Sequence, residues 1–138
     1  MPDRAMRNAL HYAALNNDVD EIQRLIRSGE SVDASDSLGF TPLHFAAQER
    51  NVEAVRALIQ AGASIDAQNV YGNGPLSVAT YYSHGDGDII RLLLAAGADM
   101  HLANNYGQTP IGLAGMIANF DARVHFPSDD GAGEQPLA

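Results

Sequence analysis

A pattern of residues returns along this chain at an interval of 33 positions, and no other feature limits the fold as strongly. The pair Leu10-His11 recurs as Leu43-His44, and Gly39 recurs as Gly72. Self-similarity at this period predicts a solenoid, in which each unit packs mainly on the units before and after it. The chain is therefore expected to be a stack of similar units.

One complete unit, residues 36–68, predicts two helices and a turn. Thr41 can cap a helix whose first position suits Pro42, because proline has no amide hydrogen to leave unpaired there. A second helix is expected over 51–61, where apolar residues recur at three- and four-residue spacings. Gly62 can then take the left-handed conformation that closes a helix. Such a pair cannot bury its apolar faces alone, so it needs neighbours on both sides.

The run from Gly39 to Ala47, followed by Gly62-Ala63, resembles the ankyrin repeat, including its threonine-proline-leucine-histidine signature. The resemblance covers about residues 3 to 124. It implies an all-α, ankyrin-type solenoid of about four helix-turn-helix repeats joined by β-hairpin-like loops. The expected domain is 1–124, with repeats at about 3–35, 36–68, 69–103 and 104–124. The resemblance also implies a non-enzymatic scaffold that holds a protein partner on its hairpin tips and its concave helix face.

The two ends of the array depart from the pattern. The first unit has Asn8-Ala9 where the second has Thr41-Pro42, which suits an end cap. The second helix of the fourth unit is expected to stop near Val124, before Pro127 breaks the helix. Residues 125–138 are predicted to form a disordered acidic tail.

The third unit lacks two polar side chains of the second. Gly74 and Ser77 stand where the second unit has Thr41 and His44, so the local hydrogen bonds of that threonine and histidine are expected to be missing. His44 itself is predicted to be structural, like His11, with ring nitrogens bonded to nearby hydroxyl or backbone groups.

Two extra residues are expected in the turn between the helices of the third unit, because the glycine interval lengthens to 35 between Gly62 and Gly97. The enlarged turn contains His84-Gly85-Asp86-Gly87-Asp88, and Asp88 can cap the next helix. Its imidazole and carboxylates offer ligands to a cation, so a metal-dependent enzyme is an alternative of another class. The spacing matches no calcium loop of about twelve residues. A solvated turn or a partner contact is preferred, and no catalytic residue, metal site or cofactor is predicted.

The composition argues against nucleic-acid binding and against a membrane anchor. The formal net charge is −9, the chain has no cysteine, and its eight basic residues are all scattered arginines. An acidic surface repels nucleic acid, attracts a basic partner and also favours solubility. The N-terminus shows no apolar run, so no secretory signal or membrane anchor is expected and a cytoplasmic location is predicted. The protein is expected to be a monomer.

Exposed positions of the repeats carry aromatic and amide side chains. Large apolar side chains at exposed positions mark partner surfaces, and tyrosine supplies contact area at a small entropic cost. We expect one continuous strip, with Tyr71 and Tyr81 at its centre; the alternative is that these aromatic residues only pack locally. The predicted partner-binding residues are Leu38, Phe40, Gln48, Glu49, Tyr71, Asn73, Tyr81, Tyr82, Tyr106 and Gln108.

These features predict a non-enzymatic adaptor or inhibitor that binds one protein partner. A narrower alternative is an acidic, immunity-type inhibitor that blocks a basic toxin or enzyme, and the net charge is its only support.

Overall fold

A computed structural model describes residues 5–117 and 121–127. Within these residues the chain forms seven α-helices and one 3-10 helix, and no β-strand. The elements are α1 (Ala9–Leu15), α2 (Val19–Arg27), α3 (Pro42–Gln48), α4 (Val52–Gln60), α5 (Pro75–Tyr81), α6 (Asp88–Ala95), α7 (Pro110–Ala114) and the 3-10 helix (Ala122–His125).

The helices stack in two layers. The first helices of the repeats, α1, α3, α5 and α7, pack in that order, and α2, α4 and α6 pack beside them in a second layer. The two helices of one repeat also pack against each other, as α3 does with α4. The predicted all-α solenoid is confirmed.

A side chain at the start of α3 caps that helix as its sequence predicts. The Thr41 hydroxyl accepts a hydrogen bond from the His44 amide, while Nδ1 of His44 accepts one from the Thr41 amide at 3.0 Å. In the first repeat Asn8 and His11 form the same reciprocal pair. Asparagine therefore replaces threonine without loss of the cap.

The second nitrogen of each of these histidines reaches the next repeat. Nε2 of His44 lies 2.9 Å from the Asn73 carbonyl, and Nε2 of His11 lies 3.0 Å from that of Phe40. Both imidazoles are fully buried. The structural interpretation of both histidines is confirmed, because every ring nitrogen has a local partner.

The hairpin-like tips between repeats are closed by one side chain each. The carboxylate of Asp36 accepts from two amides of its tip, and the amide oxygens of Asn69 and Asn104 do the same in the following tips. Adjacent tips are bonded through the backbone, since the Val70 amide donates to the Leu38 carbonyl at 2.9 Å. These contacts hold the tips in a row.

The third repeat lacks the cap, as its sequence predicts. Gly74 precedes α5 and offers no side-chain hydrogen bond, and the Ser77 side chain is buried. The expectation that Asp88 caps α6 is wrong, because Gly87 occupies the capping position. The Asp88 carboxylate instead pairs with Arg91, 2.7 Å away and one turn further along the helix.

The C-terminal part of the fourth repeat packs back against the third repeat. Phe126 is buried in the common core, and Nε2 of His125 lies 2.8 Å from the Gly85 carbonyl in the enlarged turn. Packing therefore continues past Val124, where the sequence predicted the tail to begin. The rest of that predicted tail, 128–138, lies outside the described residues.

Candidate functional site

The tips and the first helices together enclose a concave groove of about 450 Å³. It runs across the second, third and fourth repeats, because residues of all three line it. The lining consists of four tyrosines, three asparagines, two glutamines, and one residue each of phenylalanine, valine, leucine and serine. A volume of this size lies within the usual range of about 300 to 1,000 Å³ for ligand pockets.

Two of the tyrosines stand on neighbouring tips. Tyr71 and Tyr106 each follow a tip asparagine by two positions, and their amides donate to Asn69 and Asn104 at 3.0 and 2.9 Å. The closed tips therefore fix where these side chains leave the backbone. Tyr71 is 43% exposed and Tyr106 is 79% exposed.

The other two tyrosines stand at the end of α5. The rings of Tyr81 and Tyr82 meet edge to face, with centroids 5.0 Å apart. Both side chains are exposed, and Val78 lines the groove one turn earlier on the same helix. The third repeat therefore supplies three aromatic rings to one groove, Tyr71 from its tip and Tyr81 and Tyr82 from the end of its first helix.

Phe40 is less exposed than its tip position predicts. Its ring stacks on Phe45 with centroids 5.3 Å apart and also contacts His44, so the side chain is half-buried. The ring thus has a packing role in the second repeat, and only part of it faces the groove.

The groove carries no formal charge on its described lining, although the whole chain has a net charge of −9. Of the two predicted residues outside the lining, Glu49 is exposed beyond the end of α3, and Leu38 is exposed on its tip. The structure brings the other predicted residues together in the groove: Phe40, Gln48, Tyr71, Asn73, Tyr81, Tyr82, Tyr106 and Gln108.

The polar groups of the groove fall into two classes. The side-chain oxygens of the asparagines are already bonded: the Asn104 side chain donates to the Asn73 oxygen at 2.9 Å, and its own oxygen accepts from two amides of its tip. In the described part of the chain, by contrast, the hydroxyl groups of the four tyrosines make no hydrogen bond to the protein. The Gln108 side chain is likewise without a partner there. The asparagines form a fixed floor, and the tyrosines offer free hydrogen-bonding groups.

Sequence reasoning missed several lining residues. Val78 and Leu113 occupy the position that Phe45 holds in the second repeat, and an alignment of the repeats would have placed them on the same face. The floor residues Asn69 and Asn104 were also not among the predicted binding residues.

The enlarged turn of the third repeat engages its carboxylates internally. The Asp86 carboxylate accepts from the Asp88 amide at 3.0 Å, and Asp88 is paired with Arg91. Across 5–117 and 121–127, no three histidine, cysteine, aspartate or glutamate side chains lie close enough to hold a metal ion. The metal-dependent alternative therefore lacks its further ligands in these residues.

His44, which lies within hydrogen-bond distance of the backbone of the lining residue Asn73, has a displaced pKa. Burial lowers the pKa of its imidazole, while the Asn73 carbonyl and the nearby Asp36 carboxylate act in the opposite direction. The neutral ring that results suits its two hydrogen bonds, one accepted and one donated. This histidine therefore helps to hold the backbone of Asn73, a residue of the groove floor, in place.

None of the helices among the described residues has the length and apolar character needed to cross a membrane.

A family model described as ankyrin repeats in three copies matches residues 2–69, and a model of the single ankyrin repeat matches 71–105. Among curated proteins, none matches the chain. Ankyrin repeats generally mediate interactions between proteins and typically have no enzymatic activity. With its stacked helix pairs, capped tips and these two matches, the chain belongs to the ankyrin repeat family.

Proposed function

We propose that this protein is a non-enzymatic interaction module that binds one protein partner in the groove between its tips and first helices. One observation carries the proposal: four exposed tyrosines from three separate segments converge on a single concave surface of about 450 Å³. Tyrosine is enriched at protein interfaces because its rigid ring covers a large area and its hydroxyl group still finds a polar partner.

Tyr71 and Tyr81 are proposed as the principal contacts. They come from the tip and the first helix of the third repeat, which lies between two other repeats that also line the groove. Binding energy concentrates near the centre of an interface, where neighbouring contacts exclude water. Tyr82, Tyr106 and Gln108 would then form the surrounding contacts.

The acidic-inhibitor alternative has less support from the groove. A basic toxin or enzyme would be recognised best by carboxylates at the contact surface, and the described lining has none. Glu49 stands outside the lining. Whether binding recruits or inhibits the partner depends on the partner, so the proposal is limited to recognition.

The test starts from a partner isolated with the intact chain and then measures its affinity for single variants. Tyr71→Ala and Tyr81→Ala should each weaken binding by about 2 kcal/mol or more, as central aromatic contacts do. Their melting temperatures should barely change, because both side chains are exposed.

Two control variants separate the groove from the rest of the surface. Val70 is 50% exposed on the same tip as Tyr71 but does not line the groove, so Val70→Ala should bind normally. Arg24→Ala, on α2, should also bind normally. If the tyrosine variants melt early yet bind normally once folded, these rings are packing residues and the binding surface lies elsewhere.

A further inference from the structure

We infer that the groove takes an extended, uncharged, proline-rich segment of its partner. This inference rests on the proposed function, because it names the chemistry of the ligand for the same groove. Three features point to this ligand: the lining carries no charge, it has free hydrogen-bonding groups, and the described residues form no open strand edge.

The lack of charge limits the ligand first. No lysine, arginine, histidine, aspartate or glutamate belongs to the described lining, whereas acidic residues are common elsewhere on this chain. A charged ligand side chain would lose its hydration in the groove without gaining an ion pair there. The segment inside the groove is therefore uncharged.

The free polar groups of the lining also limit the chemistry of the ligand. The tyrosine hydroxyls and the Gln108 amide can each donate a hydrogen bond, and none of them is used within the described chain. The side-chain oxygens of the floor asparagines, by contrast, already accept hydrogen bonds within the chain. The groove is thus rich in unused donors, and it suits a backbone that presents unpaired carbonyl groups.

Peptides bind to proteins in a few recurring ways, and three of them do not fit this groove. Addition of a strand to a sheet needs an open edge, but the described residues form no strand and the tips are already bonded to one another. Recognition of a phosphorylated or acidic motif needs a cluster of arginines, which the lining lacks. An amphipathic helix bonds its own backbone carbonyl groups internally, so its backbone would offer few acceptors to the unused donors of the groove.

A proline-rich segment meets the remaining conditions. In the polyproline II conformation the chain makes no internal hydrogen bonds, so its carbonyl groups are free to accept from tyrosine hydroxyls. Proline has no amide hydrogen and therefore needs no acceptor from the groove. Its rings pack on aromatic side chains, and the preformed conformation reduces the entropy lost on binding. Tyr71, Tyr81 and Tyr106 supply rings and hydroxyls of the required kind.

The experiment is a selection of displayed random peptides of about twelve residues on the intact 138-residue chain, followed by affinity measurements on the enriched peptides. A capped decaproline peptide serves as a defined probe. The chain has five tyrosines and no tryptophan, and four of the tyrosines line the groove, so tyrosine fluorescence reports directly on occupancy.

The expected result is enrichment of uncharged, proline-containing peptides whose binding weakens about tenfold or more in Tyr71→Ala and Tyr81→Ala. Val70→Ala should bind them normally. Tyr71→Phe and Tyr81→Phe keep the ring and remove only the hydroxyl, so they should lose only a few-fold, and they remain informative if an alanine variant fails to fold.

Four other outcomes are decisive. Enriched peptides without proline that still depend on the tyrosines would overturn the proline-rich ligand and leave the groove as the binding site. Peptides that bind the tyrosine variants as well as the parent chain would overturn both proposals. No enriched peptide at all would overturn the proline-rich segment, and the partner measurements then decide the proposed function. Saturable binding of a neutral oligosaccharide such as maltohexaose, lost in the same variants, would assign the groove to a different class of ligand.

Discussion

His44 shows how one side chain can join two repeats. Its imidazole accepts a hydrogen bond from Thr41 in its own repeat and lies within hydrogen-bond distance of the Asn73 carbonyl in the next. Only the neutral ring can do both, since a protonated Nδ1 could not accept. The residue therefore couples helix capping to the stacking of repeats, and it does so while fully buried.

We expect His44 to make stability depend on pH. Burial lowers the pKa of the folded-state imidazole below its ordinary value of 6.5, so the unfolded chain takes up a proton more readily. This contribution to stability is fully present above pH 6.5 and is lost as the pH falls from there towards the lower folded-state pKa. The melting temperature should fall accordingly as the pH is lowered from about 7 through the ordinary pKa of histidine.

His44→Gln is the matched comparison for that pH dependence. It should cost about 1–3 kcal/mol at neutral pH, because buried backbone groups lose their partner. Its melting temperature should then change less steeply with pH than that of the parent chain. Equal slopes in the two proteins would show that His44 does not cause the dependence.

At the scale of elements, hydrogen bonds join neighbouring tips directly. The Asn105 amide donates to the Tyr71 carbonyl at 3.0 Å, and the Asn105 side chain donates to the Val70 carbonyl at 2.8 Å. Gly72 lies at this contact, with a positive φ of 81°. A side chain at that position would meet the neighbouring tip.

Gly72→Ala should therefore destabilise the protein more than Gly107→Ala. Both glycines have a positive φ, which costs alanine about 1–2 kcal/mol. A Cβ atom at Gly72 would also lie 2.6 Å from the Asn105 side-chain oxygen and 2.7 Å from its backbone nitrogen, whereas at Gly107 it meets nothing within 4 Å. Overpacking adds about 1–3 kcal/mol, measurable by urea denaturation of both variants. Equal losses would contradict the close contact between tips.

At the scale of the whole molecule, one apolar core runs through all the repeats. It extends from Leu10 in α1 to Phe126 beyond the 3-10 helix, and Leu58 in α4 lies near its middle without any solvent exposure. In a repeat array each unit packs mainly on its neighbours, so stability is approximately the sum of the units and the interfaces between them. A defect in the centre affects two interfaces at once.

Leu58→Ala should lower the free energy of unfolding by about 2–5 kcal/mol, because the truncated side chain leaves a cavity between the layers. Thermal melting or chemical denaturation measures the loss. Gln60→Ala is the control, since Gln60 is exposed on the same helix and should change stability little. A loss within about 0.5 kcal/mol for Leu58→Ala, typical of a surface position, would mean that the buried face of α4 has been misassigned.

The features that the sequence predicted correctly are local ones. The two helices of a unit and the caps at Thr41 and Gly62 depend on residues within a few positions of each other, so local preferences determine them. Asp88 shows the limit of such reasoning. Aspartate favours the capping position, but the enlarged turn places Gly87 there instead.

Only the tertiary structure decided the composition of the groove. Tyr71 and Tyr106 are 35 positions apart, and stacking alone brings them together with Tyr81 on one surface. The same holds for the contact of His125 with Gly85, across 40 positions. Sequence pattern indicates which side chains are exposed, but it does not give the distances between repeats. Those distances depend on how the buried faces of successive helix pairs fit together.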